Sequence, residues 1–478
     1  MLIVCFVFLS SGACSGGAAA DRPRADENST LIAWALTPWV GDLNGMMRRR
    51  SIRVLTSANR THYFLDGARE RGFTYEYMKA FEKYIRKSEK KQINVIFIPT
   101  RRDQLLPWLI EGRGDIACAN LTVTETRKKQ VDFAAPIISD INEIVAYMGD
   151  IQPVDSLDDL SGRSVYVRES SSYYDSLKRL NQTFATNGRK PVRIHVVSED
   201  LETEDILEMV NAGMLPITVI DNHLAEFWSQ IFTNVTFRDD VPVNTGGSIS
   251  CAIRKKNPEL KERLSTFINK RKKGTEFGNI IHRRYLEDIN YVKKALSAKE
   301  IRKFNSTAEI FKKYASKYDF DYLMIMAQGY QESGLDNSVK NPSGAVGILQ
   351  VLPSTAAMPE INVRDIRKLE NNVLAGTKYL RFLADRYFAD EALSSTNRIL
   401  FSFAAYNAGP TRIARLRRQA PRMGVDPNVW FRNVENLAAR TIGQEPVQYV
   451  RNIFKYYVSY KLITERQEER SQIKGDLN

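Results

Sequence analysis

"IEGRGDIACANLTVTETRKKQVDFAAPI", from Ile110 to Ile137, reads as a helix end, a glycine-rich turn, a strand and a short polar helix in quick succession. Gly112 and Gly114 separate the apolar strand around Ile116 and Leu121 from "RDQLLPWLIE", whose leucines recur at helical spacing. Toward the N-terminus the same alternation continues through "INVIFIPT", "GFTYEYMKAFEKYIRKS" and "IRVLTSA". Strands alternating with helices argue a parallel sheet covered by helices. Toward the C-terminus a second set follows, "SVYVRES", "RIHVV", "DILEMVNAG" and "ITVIDN", with a late strand "SISCAIRK". Two small α/β lobes in series make a bilobed clamp over residues 50–285.

The whole chain has 478 residues, too many for one hydrophobic core, so several compact units are expected. With 43% hydrophobic and 26% charged residues it is neither a disordered chain nor a polytopic membrane protein. The net charge of +13 is spread along the sequence, and no zinc finger or basic reading helix accompanies it, so nucleic acid is not an expected partner. Residues 1–14, "MLIVCFVFLSSGAC", are apolar for too short a run to span a bilayer and read as a signal peptide. Their ending resembles a lipoprotein signal, which makes Cys14 the acylated residue and, with Ser15 after it, the outer membrane the destination. No Lys or Arg precedes the run, and Ser11 stands where such signals usually have Leu. Residues 15–49 are expected to be a tether. Cys118 and Cys251 fall in strand-like runs and are expected to be buried free thiols. Four histidines and no CxxC give no metal site, and no cofactor is implied.

Residues 50–275 resemble periplasmic solute-binding proteins of the amino-acid type, chiefly through the stretch quoted first. The resemblance implies that Thr124 and Arg127 hold an α-carboxylate, a task suited to a guanidinium fork. It further implies hydroxyl donors at Thr122, Ser171 and Ser172, and Asp221 facing the ligand's ammonium. Ser57, Arg60 and Ser170 depart from the pattern, so the expected ligand is an amino-acid-like molecule or muropeptide rather than a free standard amino acid; a retained fold without a ligand is the alternative.

After a charged linker helix at 286–305 the pattern becomes wholly helical over 306–465, with a charged tail at 466–478. Ser306 with Glu309 reads as a capping box, and Asp321 as the cap of "YLMIMAQGYQES". That segment ends on Glu332 and Ser333, with Gly334 as C-cap. A carboxylate at a helix C-terminus meets the negative end of the dipole, and an apolar wall adds desolvation, so its pKa rises. A carboxyl kept protonated near neutrality is what a general acid requires.

"QESGLD", "GAVGILQVLPSTA", "AAYNAGPTRIARL" and "EPVQYVRNIFKYY", in that order, resemble the lysozyme-like lytic transglycosylases of the soluble type. Glu332 falls on the catalytic position of that family, and Ser333, Gly347, Gln350, Tyr406, Asn407 and Tyr449 on its substrate-side positions. Ile348, Leu349, Ala408 and Pro446 are conservative departures. The resemblance implies a peptidoglycan glycan strand as substrate, hydrogen bonds from Gln350, Tyr406 and Asn407 to its N-acetyl groups, and cleavage between N-acetylmuramic acid and N-acetylglucosamine with a 1,6-anhydro product. Glycosidases of the usual kinds keep a second carboxylate roughly 5–9 Å from the acid. Asp336, the nearest in sequence, lies past the helix stop, which suits a one-carboxyl mechanism. A hydrolytic muramidase and a peptidoglycan-binding or sensing protein are the alternatives. The expected architecture is therefore multidomain: a bilobed α/β binding-protein fold of type II followed by an all-α lysozyme-like domain.

Overall fold

The computed structural model describes residues 36–66, 69–290 and 298–476; the leader and Cys14 lie outside the described residues. The clamp begins with helix α1 (Leu43–Arg49) and strand β1 (Ser51–Thr56). There follow the hairpin β2 (Phe64–Asp66) and β3 (Arg69–Arg71), helix α2 (Phe73–Glu89), and strands β4 (Asn94–Pro99) and β5 (Ile116–Thr122). Strands β6 (Asp132–Phe133), β7 (Ile138–Met148) and β8 (Ser164–Val167) lead into helix α3 (Ser172–Thr186). Strands β9 (Arg193–Val196), β10 (Ile217–Asp221) and β11 (Val235–Ile253) complete the set.

One sheet runs in the order β10-β7-β11-β5-β1-β4, with β6 also on β11. β1 lies parallel to β4 and β5, whereas β11 is antiparallel to β5, β6 and β7. β7 and β11, of 11 and 19 residues, pair with one another through several register shifts and pass from one lobe to the other. The lobes therefore share a sheet through two long strands, where the sequence suggested two separate α/β units. β1 and β4 have no exposed face, as expected of parallel strands covered on both sides.

Two expectations for this region change. The tether is ordered at its end, since α1 packs on the clamp with Asp42 as its N-cap. A buried carboxylate holds it there: Asp115 takes Arg49 from α1, Arg53 from β1 and Arg254 beyond β11. Burial alone would raise the Asp115 pKa, but the guanidiniums of Arg49 and Arg53 outweigh it and hold the carboxyl below its usual range. Cys118 and Cys251 are not free thiols but a disulfide joining β5 to β11. The strand assignments were right; what they could not reveal is that the two strands are neighbours, with Ala117 opposite Ala252 and Leu121 opposite Ser250.

The C-terminal unit is helical. Helix α4 (Ala298–Lys317) begins before Ser306, which therefore lies inside the helix and not at its N-terminus. Asp321 does cap α5 (Tyr322–Ser333), accepting from the Leu323 amide at 2.9 Å. Residues Leu323–Gly329 of α5 are buried on every side, which marks it as the central helix of the unit rather than a half-exposed one. It packs chiefly against α4 and α9 (Glu445–Asp476), and α6 (Leu369–Tyr387), α7 (Ser395–Ala408) and α8 (Pro410–Gln419) complete the unit. α9 continues through what reads as a charged tail.

The two units touch. α9 lies along β4, the edge strand, with Gln448 donating to Asn94 at 2.9 Å and Ile96, Ile98, Val450 and Phe454 sharing one apolar cluster. Tyr330 of α5 meets Tyr456 of α9 edge-on at 4.6 Å. A side chain built at Gly334 would come within 4.0 Å of the Arg69 guanidinium on the clamp's β2-β3 hairpin.

Candidate active site

Glu332 is the penultimate residue of α5, and its placement follows from how that helix stops. Gly334 adopts the left-handed conformation (φ 65°) that ends the helix, donating its N–H to the Tyr330 carbonyl at 2.9 Å. Ser333 then ties the helix end to the next loop, its hydroxyl 3.1 Å from the Gly329 carbonyl and 2.8 Å from that of Ile348. Glu332 is half-buried and accepts a short hydrogen bond from the Tyr449 hydroxyl of α9. Gln328, one turn back, donates to that same hydroxyl at 3.2 Å. Burial raises the Glu332 carboxyl to about 7, and the Tyr449 bond acts the other way. No second carboxylate contributes to that shift among the described residues. Asp336 is exposed and turned to Ser338.

The loop facing Glu332 is held by a residue the sequence reading passed over. Asn372, fully buried on α6, donates to the carbonyls of Val346 and Ile366 and accepts from the Leu349 amide, each at 2.8 Å. The available signal was an asparagine on an otherwise apolar helix face beside Val373 and Gly376. Gly347 (φ 81°) is required by that packing, since a Cβ there would lie 2.3 Å from the Asn372 amide. Two of the residues expected to meet an N-acetyl group make internal hydrogen bonds. Gln350 directs its amide hydrogens to Gly347 at 2.8 Å and Val339 at 3.2 Å. Tyr406 donates its one hydroxyl proton to the Leu349 carbonyl at 2.8 Å. Both residues thereby brace the segment from Val339 to Gln350. Asn407 is the exception: partly exposed, its amide has no partner among the described residues.

In the clamp, Thr124 caps the following helix through the Arg127 amide, while the Arg127 guanidinium reaches the carbonyls of Thr122 (2.7 Å) and Ser170 (2.8 Å). Ser171 caps α3, and Ser172 meets the Thr122 hydroxyl at 3.2 Å across the cleft. Asp221 accepts from Asn120 at 2.8 Å; burial, then the charge of Glu143, lifts its carboxyl to about 7. The structure thus gathers Thr122, Arg127, Ser171, Ser172 and Asp221 around one cavity, with Thr124 behind the arginine. Arg102, Asn120, Arg168 and Tyr173 line it too, and none was legible as a site residue. Arg102 crosses between lobes to Glu202 at 2.8 Å. The cavity measures about 30 Å³, room for about two waters at ~10–15 Å³ each. In this closed form it does not hold an amino acid.

With the geometry in place, the comparisons sort the two units. Residues 52–288 match the family "Bacterial extracellular solute-binding proteins, family 3", and residues 309–426 match "Transglycosylase SLT domain". The class is therefore a lytic transglycosylase of the SLT type with a solute-binding domain ahead of its catalytic unit. Over nearly its full length the chain is similar to proteins named membrane-bound lytic murein transglycosylase F. One, from Desulfosudis oleivorans, is 28% identical over 429 residues, covering 85% of this chain and 89% of the relative. Another, from Pseudomonas fluorescens, is 27% identical over 447 residues, covering 89% and 88%. Among solved structures, an ancestral arginine-binding protein bound to arginine aligns at 24% identity and a TM-score of 0.42, over 49% of this chain and 98% of its own.

Proposed function

We propose that this protein is a peptidoglycan lytic transglycosylase that cleaves between N-acetylmuramic acid and N-acetylglucosamine, with Glu332 as acid and then base. The observation that carries the reading is a lone carboxyl, raised to about 7 by burial and touched by Tyr449 but by no second carboxylate among the described residues. A protonated Glu332 gives its proton to the glycosidic oxygen as the bond from the muramoyl C1 breaks. The substrate's acetamido oxygen closes on C1 in place of a protein nucleophile. The muramoyl C6 oxygen then displaces it, its proton returns to Glu332, and the 1,6-anhydro ring is complete with no water consumed. Gly347, Gln350 and Tyr406 hold the loop opposite; Asn407 is the residue free to meet an N-acetyl group.

Mass spectrometry of products from purified murein sacculi tests this. Anhydro-muramoyl ends, lighter by one water than hydrolytic ends, are the expected result. Hydrolytic ends would make the protein a muramidase, and binding without any product a sensing module.

The clamp is proposed to regulate the enzyme. Peptides that carry both carboxylate and ammonium suit Arg127 and Asp221, and cell-wall stem peptides are the ligand class we favour. Cys14 is proposed as a lipidated anchor to the periplasmic face of the outer membrane; among the described residues no helix is long and apolar enough to cross a membrane. Cys14→Ser is expected to release the protein into the soluble periplasmic fraction, and continued sedimentation with membranes would assign anchoring elsewhere.

A further inference from the structure

Gly409 (φ 90°) is both the C-cap of α7 and the N-cap of α8, so α8 starts three residues beyond Asn407. Ile413 and Leu416 bury the inner side of α8, and Ala420 continues that side into the next turn. Arg417 turns aside to Asp390 (2.7 Å), to the Asn428 side chain and to the Pro427 carbonyl. What remains is a row of cations. Arg412, Arg415 and Arg418 on α8, and Arg422 in the turn after it, are all exposed. None has an ion pair or hydrogen-bond partner among the described residues. From Pro410 to Met423 the chain has five arginines and no acidic residue.

Helix energetics do not account for this row. Cations three residues apart on a helix repel one another. A cation near the C-terminus is favoured by the helix dipole, which suits Arg418, but Arg412 stands in the first turn, where the dipole opposes it. Water solvates such a ridge, and an anion from outside would offset the repulsion within it. Its position says which one. The ridge begins five residues after Asn407 and six after Tyr406, a residue close enough to Glu332 to feel its charge. From Arg412 it extends about 9 Å to Arg418 at the 1.5 Å rise of a helix.

We infer that the Arg412–Arg415–Arg418–Arg422 ridge binds the free carboxylates of the peptide stems borne by the strand that occupies the Glu332 site. This rests on the peptidoglycan reading above. The ridge favours stem-bearing glycan over bare glycan, and it acts on binding rather than on the chemical step.

The test uses the full chain in an Glu332→Gln background, so that binding is measured without cleavage. Binding to intact sacculi and to strands stripped of stems by an amidase is compared for this chain and for one with all four arginines changed to Gln. The four-Gln chain is expected to bind intact sacculi about tenfold more weakly, with stripped strands unaffected; exposed charge pairs of modest strength sum to that. An all-Lys version, which keeps the charge, is expected to recover most of the loss. Equal loss on both substrates, or none on either, overturns the inference. Loss confined to vesicles of anionic phospholipid also overturns it and assigns the ridge to a membrane surface. Should the four-Gln chain fail a circular dichroism melt, the pair Arg415→Gln/Arg418→Gln is measured instead, with about a threefold effect expected on intact sacculi. If wild-type protein makes no anhydro product, the catalytic reading fails while this binding comparison still decides the ridge.

Discussion

Glu332 works only if its carboxyl stays protonated until the substrate arrives, and two neighbours set that balance in opposite senses. Burial raises the pKa to about 7, and the Tyr449 hydroxyl, donating to the carboxylate, lowers it. Cleavage is therefore expected to fall as pH rises through about 7, because the acid form is lost. Tyr449→Phe removes the bond that favours the ionised form, so the falling limb of the rate profile moves to higher pH; a shift to lower pH would mean that Tyr449 acts otherwise. Glu332→Gln has no transferable proton and is expected to lose at least ~10²–10⁴ in rate. The same substitution has a signature in stability. The folded pKa lies above the unfolded value of 4.5, so between them the native state binds more protons and stability falls as pH rises. Glu332→Gln should thus melt above wild type at pH 8 and level with it at pH 4, read by calorimetry at both. Most of this residue was legible beforehand, because Asp321, Glu332 and Gly334 belong to one helix and their signals are local. Asn372 was not, since two of its three bonds reach a loop 23 and 26 residues away.

Elements show the same division between local and distant causes. The strands and helices follow from periodicity and punctuation, but their pairing does not. Cys118 and Cys251, separated by 133 residues, read as two buried thiols until β5 and β11 are known to be adjacent. Arg102 and Glu202, 100 residues apart, come together only because the two lobes face one another. The disulfide spans an irregular stretch of the ladder: three residues of β5, Cys118 to Asn120, face Cys251 alone. Asn120 has a positive φ of 53° there and reaches across to Asp221. A crosslink closing so long a loop typically contributes ~2–4 kcal/mol. Cys118→Ser/Cys251→Ser is therefore expected to lower the melting of the clamp by that amount and to weaken the Asn120–Asp221 bridge. An unchanged melt with and without reductant would show that the thiols are free in solution. In the helical unit, Asn372→Ala leaves buried partners unmade at Val346, Leu349 and Ile366, each costing ~1–3 kcal/mol. Its expected effect is a lowered melting temperature together with a lowered turnover, since the loop opposite Glu332 loses its support.

At the scale of the molecule, the closed clamp and the enzyme share one surface. β4 and the β2-β3 hairpin belong to the lobe whose cleft Arg102 and Arg127 close, and the same two elements lie against α9 and beside Gly334. A cavity of about 30 Å³ does not admit a peptide, so binding requires the lobes to separate about β7 and β11. A ligand that prefers the parted form shifts the population toward it, and only by its difference in affinity for the two forms. Couplings of this kind usually amount to 1–3 kcal/mol, or about 5–150-fold. Stem peptides are accordingly expected to raise the rate on sacculi within that range. Asp221 adds a pH dependence to the effect. Its carboxyl, lifted to about 7, must be ionised to hold an ammonium, so activation should weaken as pH falls below that value. Arg127→Ala removes the group that meets the carboxylate, and the ratio of rates with and without peptide should fall to one. The two proteins are assayed side by side on sacculi, at pH 7.5 and 5.5 where Asp221 differs in charge, with peptide titrated in each case. A wild-type rate that does not respond to peptide at either pH would leave the clamp as a fixed brace, held shut by Arg102 and Glu202, with no signal to pass to Glu332.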